Sequence, residues 1–532
     1  MKNQIERKNV LISVYNKKNI FYLSKELIKR NFKIFATTGT FKFLKKKNIQ
    51  VYKLSDYTQF PEILKGRVKT VHPKIFGGIL KNNTSDIKEI EEHKIILFDL
   101  VISNFYPFEK IIEKNTNNVI DIMEYIDIGG PAIVRAAGKN YANVLVVVEI
   151  KDYEFLIQLI QKYMCIQNKN IPEKIRLNFA IKAFKYTQLY DKSIHNYLLN
   201  RILVKKKKIS DLPEEINLIM YKKKDLRYGE NPHQQSSLYI ESKNILKNTI
   251  LNTQILQGKS LSYNNILDCD VALDCIENFV CPTCIILKHG NPCAVATNKC
   301  ILQAYKNAFL SDPISSFGGV IIINEKLNSE TAQFMINNQF LEVLLVPDID
   351  EESIKILYTK PNIRVLKYNK EKNKKNIEKY SIRNVRGGFL IQNNNYSIQK
   401  NKLWKVVTNR KPTKHELQDA IFAFKISMFV KSNAIVYAKN NQTIAIGAGQ
   451  MSRIDSVLIA NMKAKNNNIS TNNAIMASDA FFPFKDVVDS VAEKGISCII
   501  QPGGSIQDDK SIESANKNNI AMIFTNFRCF KH

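Results

Sequence analysis

The sequence predicts an α/β protein: a doubly wound parallel sheet over about the first 150 residues, then a second, larger α/β region. Two observations carry this. Apolar runs of strand length alternate with stretches of helical character, the pattern of a parallel sheet covered on both faces. The runs also stop abruptly at Gly, Pro, Thr or charged residues, as buried strands do where they feed a turn.

Taken in order, "NVLISVY" reads as a strand and a helical stretch follows it through Ile28. "FKIFATTGTFKFL" reads as strand, turn and helix, with Thr37, Thr38, Gly39 and Thr40 in the turn. Free backbone N–H groups at a helix start, beside hydroxyls, suit a phosphate, although the same residues also cap helices. In "GRVKTVHPKIFGGIL" the cations Arg67, Lys69, His72 and Lys74 crowd a loop shaped by Gly66, Pro73 and Gly77-Gly78. Such a loop suggests a phosphate or carboxylate ligand, against the plainer reading of a basic surface loop. "FDLVISNFYPFE" is a strand ending at Tyr106-Pro107. In "IDIGGPAIVRAAGKN" Gly129-Gly130 make a tight turn, Pro131 fits the first helical position, and Arg135 and Lys139 share a helix face. "VLVVVEI" is a buried strand, and 152–200 looks helical.

A basic run at 205–208 and Pro213 mark a boundary, so that 1–200 and 201–532 are read as the two functional regions. In the second, "CIILKHGNPCAVA" stands out: a buried strand delivers Lys288 and His289 together to a turn at Gly290, Asn291 and Pro292. A lysine can hold an anion or oxyanion and a histidine moves protons near neutral pH. Cys281, Cys284, His289 and Cys293 have short spacings that suggest zinc, but there is no second Cys pair, and Cys284 opens the apolar run; the reading is no metal. The residues alone do not establish an internal repeat.

Composition sets bounds. The 532 residues suffice for two to four domains, and 45% hydrophobic with 24% charged residues is ordinary for a globular chain. No apolar run is as long as a membrane span, and "MKNQIERKNV" lacks a signal-peptide core. Nine unclustered cysteines suit a reducing compartment, so the expected location is cytoplasmic, without membrane association. The net charge of +29 raises nucleic-acid binding, but the lysines are scattered among Asn and Ile. The basic runs at 205–208 and 369–379 do not interleave aromatics, so nucleic acid is not expected as a partner.

The motifs "GRVKTVHP", "NFYPFE", "IDIGGPAIVRAAGKN", "LRYGENPHQ", "KHGNPCAVA", "SSFGG", "IGAGQMSR", "SDAFFPFKD" and "QPGGSI" follow one another along the chain. In that order they resemble the bifunctional AICAR formyltransferase/IMP cyclohydrolase family, over essentially the whole length. The resemblance implies a methylglyoxal-synthase-like cyclohydrolase domain, then a formyltransferase region of two cytidine-deaminase-like lobes without zinc, acting as a homodimer. It implies the substrates AICAR and formyl-AICAR, with 10-formyltetrahydrofolate as co-substrate. By motif, Lys288, His289 and Asn433 match formyltransferase catalytic residues. Arg227, Tyr228, Asn265, Gly318, Glu342, Arg453, Phe481 and Arg528 match the nucleotide side, and Pro483, Phe484 and Asp486 the folate side. Lys69, Tyr106, Asp127 and Lys139 match the cyclohydrolase residues; Arg67, Thr38, Gly39 and Thr40 are candidates for its phosphate. Tyr15, Asn16 and Asn19 replace the common Ser, Asp and Gly of the family, which raises a formyltransferase-only alternative.

Overall fold

The computed structural model describes residues 8–81, 86–108, 111–112, 119–164, 171–205, 212, 215–216, 218–241, 248–370, 380–393 and 404–532. The basic runs expected at 205–208 and 369–379 lie almost wholly outside the described residues, as does Pro213. The chain divides into two compact units, Met1–Asp211 and Leu212–His532.

In the first unit five parallel strands lie in the order Tyr52–Lys53, Phe32–Ala36, Lys8–Val14, Leu100–Asn104, Leu145–Val147. The chain winds outward from Lys8–Val14 in one direction, then returns to add Leu100–Asn104 on its other side. The reversal creates a switch point between these two strands, where doubly wound sheets bind ligands. Strand alternation supplies a core on each face: Val10 and Ile12 pack into one cluster, Leu11 and Val101 into the other. Each such buried side chain contributes about 1.5–3 kcal/mol. The longer helices of this unit are Ile20–Lys29, Thr38–Lys45, Pro73–Leu80, Gly129–Lys139, Tyr153–Leu159 and Glu173–Lys205.

Three local readings change. Gly129-Gly130 are the first helical turn rather than a turn before it, and Pro131 is third in the helix, where its missing N–H is still not needed. The glycines are there for contact: a Cβ on Gly129 would lie 2.2 Å from Thr70 Oγ1, and one on Gly130 2.5 Å from Asp127 Oδ2. Gly77-Gly78 sit inside the helix Pro73–Leu80, because a Cβ on Gly78 would meet the Ile96 carbonyl at 2.1 Å. The helix after Ala36 begins at Thr38, leaving Thr37 as its N-cap.

The second unit is built on a twelve-stranded mixed sheet. Its order reads Lys405–Val406, Ala521–Phe524, Cys498–Gln501, Ile475–Ser478, Ile435–Lys439, Gln442–Gly447, Asn291–Thr297, Thr283–Lys288, Val320–Ile323, Val343–Val346, Arg364–Lys367, Gln254–Gln257. The two halves of six strands have one topology. Numbered along the chain within each half, both read first, sixth, fifth, fourth, second, third from the outer edge inward. Both have an antiparallel hairpin of second and third strands, then parallel fourth, fifth and sixth strands. The halves join through their third strands, with Ala296 opposite Gln442. This is a duplicated lobe. Among the described residues no helix is long and apolar enough to cross a membrane.

Candidate functional site

At the first unit's switch point the loops after Lys8–Val14 and Leu100–Asn104 are sewn together. The Tyr15 N–H donates to the Asn104 carbonyl (3.2 Å) and the Asn16 N–H to Asn104 Oδ1 (2.8 Å). The half-exposed Tyr15 ring meets Tyr106 edge-on at 4.1 Å, and Tyr125 lies 6.2 Å from Tyr106. Asn19 takes φ +61, left-handed backbone that a glycine adopts freely and asparagine tolerates. Lys69 is exposed, and burial together with the nearby Lys69 charge holds the Lys17 amine below its ordinary pKa. Two cations set close together beside a crevice suit an anion.

Asp127 caps the glycine helix, its Oδ1 accepting from the Gly130 N–H at 2.9 Å, while its own N–H donates to Tyr190 Oη at 2.7 Å. Thr70 Oγ1 is buried against Gly129 and finds no hydrogen-bond partner among the described residues. So the cationic loop, Asp127 and the Tyr106 strand end converge through the two glycines. Gly130→Ala would push a methyl onto Asp127 and the Phe105 ring; it is expected to cost about 1–3 kcal/mol, read as a lowered thermal midpoint.

The remaining candidates of this unit are spread. Thr38 donates through both its N–H (3.1 Å) and its hydroxyl (2.6 Å) to Glu62, so a carboxylate occupies the helix start. Gly39 is open, whereas Thr40 is buried and its hydroxyl is bonded to the Val14 backbone. Arg67 pairs with Glu124 at 3.2 Å, both largely exposed, a weak link. Lys139 is exposed at the far end of its helix, about 15 Å along the axis from Gly129.

In the second unit the strand Thr283–Lys288 is buried up to Leu287. Its last pair with the returning strand is Lys288 with Asn291, leaving His289-Gly290 as a two-residue turn. Both turn residues are left-handed, at φ +56 and +70, as a primed hairpin turn requires. Lys288 Nζ donates to the Phe317 carbonyl at 2.7 Å, and His289 is exposed. The Gly290 N–H donates to Asp268 Oδ1 at 2.6 Å. Burial raises the pKa of Asp268 despite that bond and the nearby His289.

Around this hairpin Asn265 Nδ2 donates to Glu342 Oε1 (3.0 Å), which also faces Arg364 (3.4 Å). Gly318, at φ +72, donates its N–H to the Phe340 carbonyl. Arg227 and Tyr228 pair at 3.0 Å, and Asn264 Nδ2 reaches the Glu230 carbonyl, tying their loop beside Asn265. The hairpin also reaches the other lobe: Asn291 Oδ1 accepts from the Lys431 N–H at 2.9 Å. There Asn433 Oδ1 accepts from Arg453 (2.7 Å), and its amide donates to the Gln450 and Met451 carbonyls. Arg453 is paired with Asp479 at 2.5 Å, their side chains 5% and 0% exposed.

Of the three phenylalanines in "SDAFFPFKD", Phe482 is core, Phe481 is half-buried and Phe484 is exposed with Pro483 and Asp486. Arg528 is exposed and stacks over Phe530 at 4.6 Å. Cys284 is fully buried, its thiol pushed up by burial, while Cys281 is exposed. Among the described residues no group of three or more His, Cys, Asp or Glu is placed to hold a metal ion. The candidates drawn from the sequence miss Asp268, Asp479 and Glu62; the first two stand in the motifs "LSYNNILDCD" and "SDAFFPFKD".

The chain thus holds two candidate sites, a cationic switch-point crevice in one α/β unit and a lysine–histidine hairpin in the duplicated sheet of the other. Residues 19–132 match the family described as an MGS-like domain, and 137–463 that described as the AICARFT/IMPCHase bienzyme. The chain is 49% identical over 528 residues to the "Bifunctional purine biosynthesis protein PurH" of Buchnera aphidicola subsp. Schizaphis graminum (strain Sg), covering 99% of each chain. It is 49% identical to the protein of that name from the subspecies Baizongia pistaciae (strain Bp), over 100% of both. The chain belongs to the AICARFT/IMPCHase bienzyme family.

Proposed function

We propose that the chain carries the last two steps of IMP synthesis, with formyl transfer in Leu212–His532 and ring closure in Met1–Asp211. The observation that carries this reading is the hairpin that sets Lys288 and His289 at the end of one buried strand. The 5-amino nitrogen of AICAR is a poor nucleophile, because the imidazole and carboxamide withdraw its lone pair. As it bonds to the formyl carbon of 10-formyltetrahydrofolate, His289 takes its proton. Lys288 stabilises the tetrahedral oxyanion, joined by the Asn433 amide once it releases the Gln450 or the Met451 carbonyl. The bond to folate N10 then breaks, and N10 leaves with a proton. Arg227, Tyr228, Asn265, Gly318, Glu342, Arg453, Phe481 and Arg528 are assigned to the nucleotide, with Pro483, Phe484 and Asp486 on the folate.

For ring closure the carboxamide nitrogen attacks the formyl carbon and water leaves. This needs orientation and proton transfer, for which Lys69, Tyr106, Asp127 and Lys139 are proposed. The nucleotide phosphate is assigned to the cations Lys17, Lys69 and Arg67, and not to the helix start at Thr38-Gly39, where Glu62 already accepts from Thr38. The formyltransferase-only alternative rested on Tyr15, Asn16 and Asn19. Asn19 keeps glycine-like backbone and Tyr15 lies against Tyr106, which supports a working crevice. A homodimer is part of the proposal, checked by light scattering.

The test follows IMP from AICAR plus 10-formyltetrahydrofolate, and separately from formyl-AICAR alone. IMP in both is expected; accumulation of formyl-AICAR in the first with none consumed in the second would rule out ring closure. Lys69→Ala is expected to lower the ring-closure kcat by about 10²-fold and leave formyl transfer intact.

A further inference from the structure

The duplicated lobe supplies an internal control for the lysine–histidine hairpin. In the carboxy-terminal lobe the equivalent turn is Asn440-Asn441, between Lys439 and Gln442, again left-handed at φ +55 and +54. Lys439 Nζ donates to the Asn472 carbonyl (2.8 Å), as Lys288 does to Phe317; each carbonyl precedes the fourth strand of its lobe. Each turn is also held by one aspartate, sixth in the helix that precedes the hairpin: Asp268 in Tyr263–Ile276 and Asp419 in Lys414–Ser427. Asp419 accepts from the Asn440 N–H (2.8 Å) and the Asn441 N–H (2.7 Å). Asp268 accepts from Gly290 (2.6 Å) and engages the His289 amide.

The two turns differ in what they need. Asparagine enters left-handed backbone readily, so Asn440-Asn441 is suited to its turn without help. Histidine also enters left-handed backbone more often than most residues, though less routinely than asparagine, and in the amino-terminal lobe it stands at the first turn position. Residue type alone does not fix the backbone of His289, and the group that holds its turn is Asp268.

We propose that Asp268 is a positioning residue for formyl transfer, which fixes the backbone of His289 so that the imidazole and Lys288 face one reacting carbon. Asp419 is the same brace without the chemistry. The inference rests on the assignment of His289 as the proton-transfer residue.

The test compares His289→Asn, Asp268→Asn and Asp419→Asn in the full chain, measuring kcat and KM for AICAR at saturating 10-formyltetrahydrofolate. Asp268→Asn replaces a carboxylate, which accepts with either oxygen, by an amide with one acceptor oxygen and a nitrogen that repels an N–H. Its kcat is expected to fall by about 30-fold or more with KM changed less than about 3-fold, since an ångström of misplacement can cost about 10²-fold. Asp419→Asn is expected to keep kcat within about 3-fold of wild type, because it moves no reacting group. An Asp268→Asn kcat within that range, or equal losses in the two aspartate variants, overturns the positioning role. If His289→Asn retains kcat, the assignment of the histidine fails instead. If Asp268→Asn does not fold, Asp268→Glu takes its place: its carboxylate still accepts both N–H groups but displaces the turn, and the same kcat loss at constant KM is expected.

Discussion

His289→Asn is expected to abolish formyl transfer while leaving the fold of the hairpin intact. The other lobe already carries Asn440 at the equivalent turn position, with the same left-handed backbone. The variant therefore removes the imidazole without asking the turn for a new shape. The loss of a positioned general base corresponds to about 10²–10⁴-fold in kcat. Conversion of supplied formyl-AICAR to IMP is expected to be unchanged, and equal loss of both activities in folded protein would refute the division into two centres.

The second large effect is on stability. Arg453 is buried against Asp479, which also accepts from the Ala434 N–H and bonds the Ser432 hydroxyl. Arg453 in turn holds Asn433 Oδ1. Asp479→Ala leaves a buried guanidinium without its counter-charge, and breaking such a pair costs about 3–5 kcal/mol. We expect a corresponding fall in the urea midpoint, followed by unfolding of Leu212–His532. Formyl transfer should be lost even at temperatures where the variant remains folded, since Asn433 loses its orientation.

Much of the fold is legible in the sequence. The strands Lys8–Val14, Phe32–Ala36, Leu100–Asn104 and Thr283–Lys288 announce themselves because parallel or central strands are apolar on both faces. What is misread is glycine. Gly77-Gly78 and Gly129-Gly130 look like turns locally, yet they are helical and exist for close approach of Ile96, Thr70 and Asp127, contacts that only the folded chain creates. The doubled lobe is hidden because its equivalent corners keep few letters in common. Lys288 and Lys439, or Asp268 and Asp419, match, but His289 answers to Asn440 and Gly318 to Asn473. Asp268 and Asp479 are hard to rank for a related reason: their partners are backbone N–H groups and a buried arginine, which no spacing rule reveals.

The joining of two lobes into one sheet also decides how the protein meets its neighbours. A sheet of twelve strands has only two borders, and among the described residues they are the two-residue strand Lys405–Val406 and the four-residue strand Gln254–Gln257. Exposed strand borders are templates onto which another chain can zip, and short or lysine-bearing ones are poor templates. Most of the hydrogen-bonding ladder of this large, apolar sheet is thus consumed internally. The fused architecture protects crowded solutions of the protein against edge-to-edge aggregation, which two separate six-stranded sheets, with four borders between them, would resist less well.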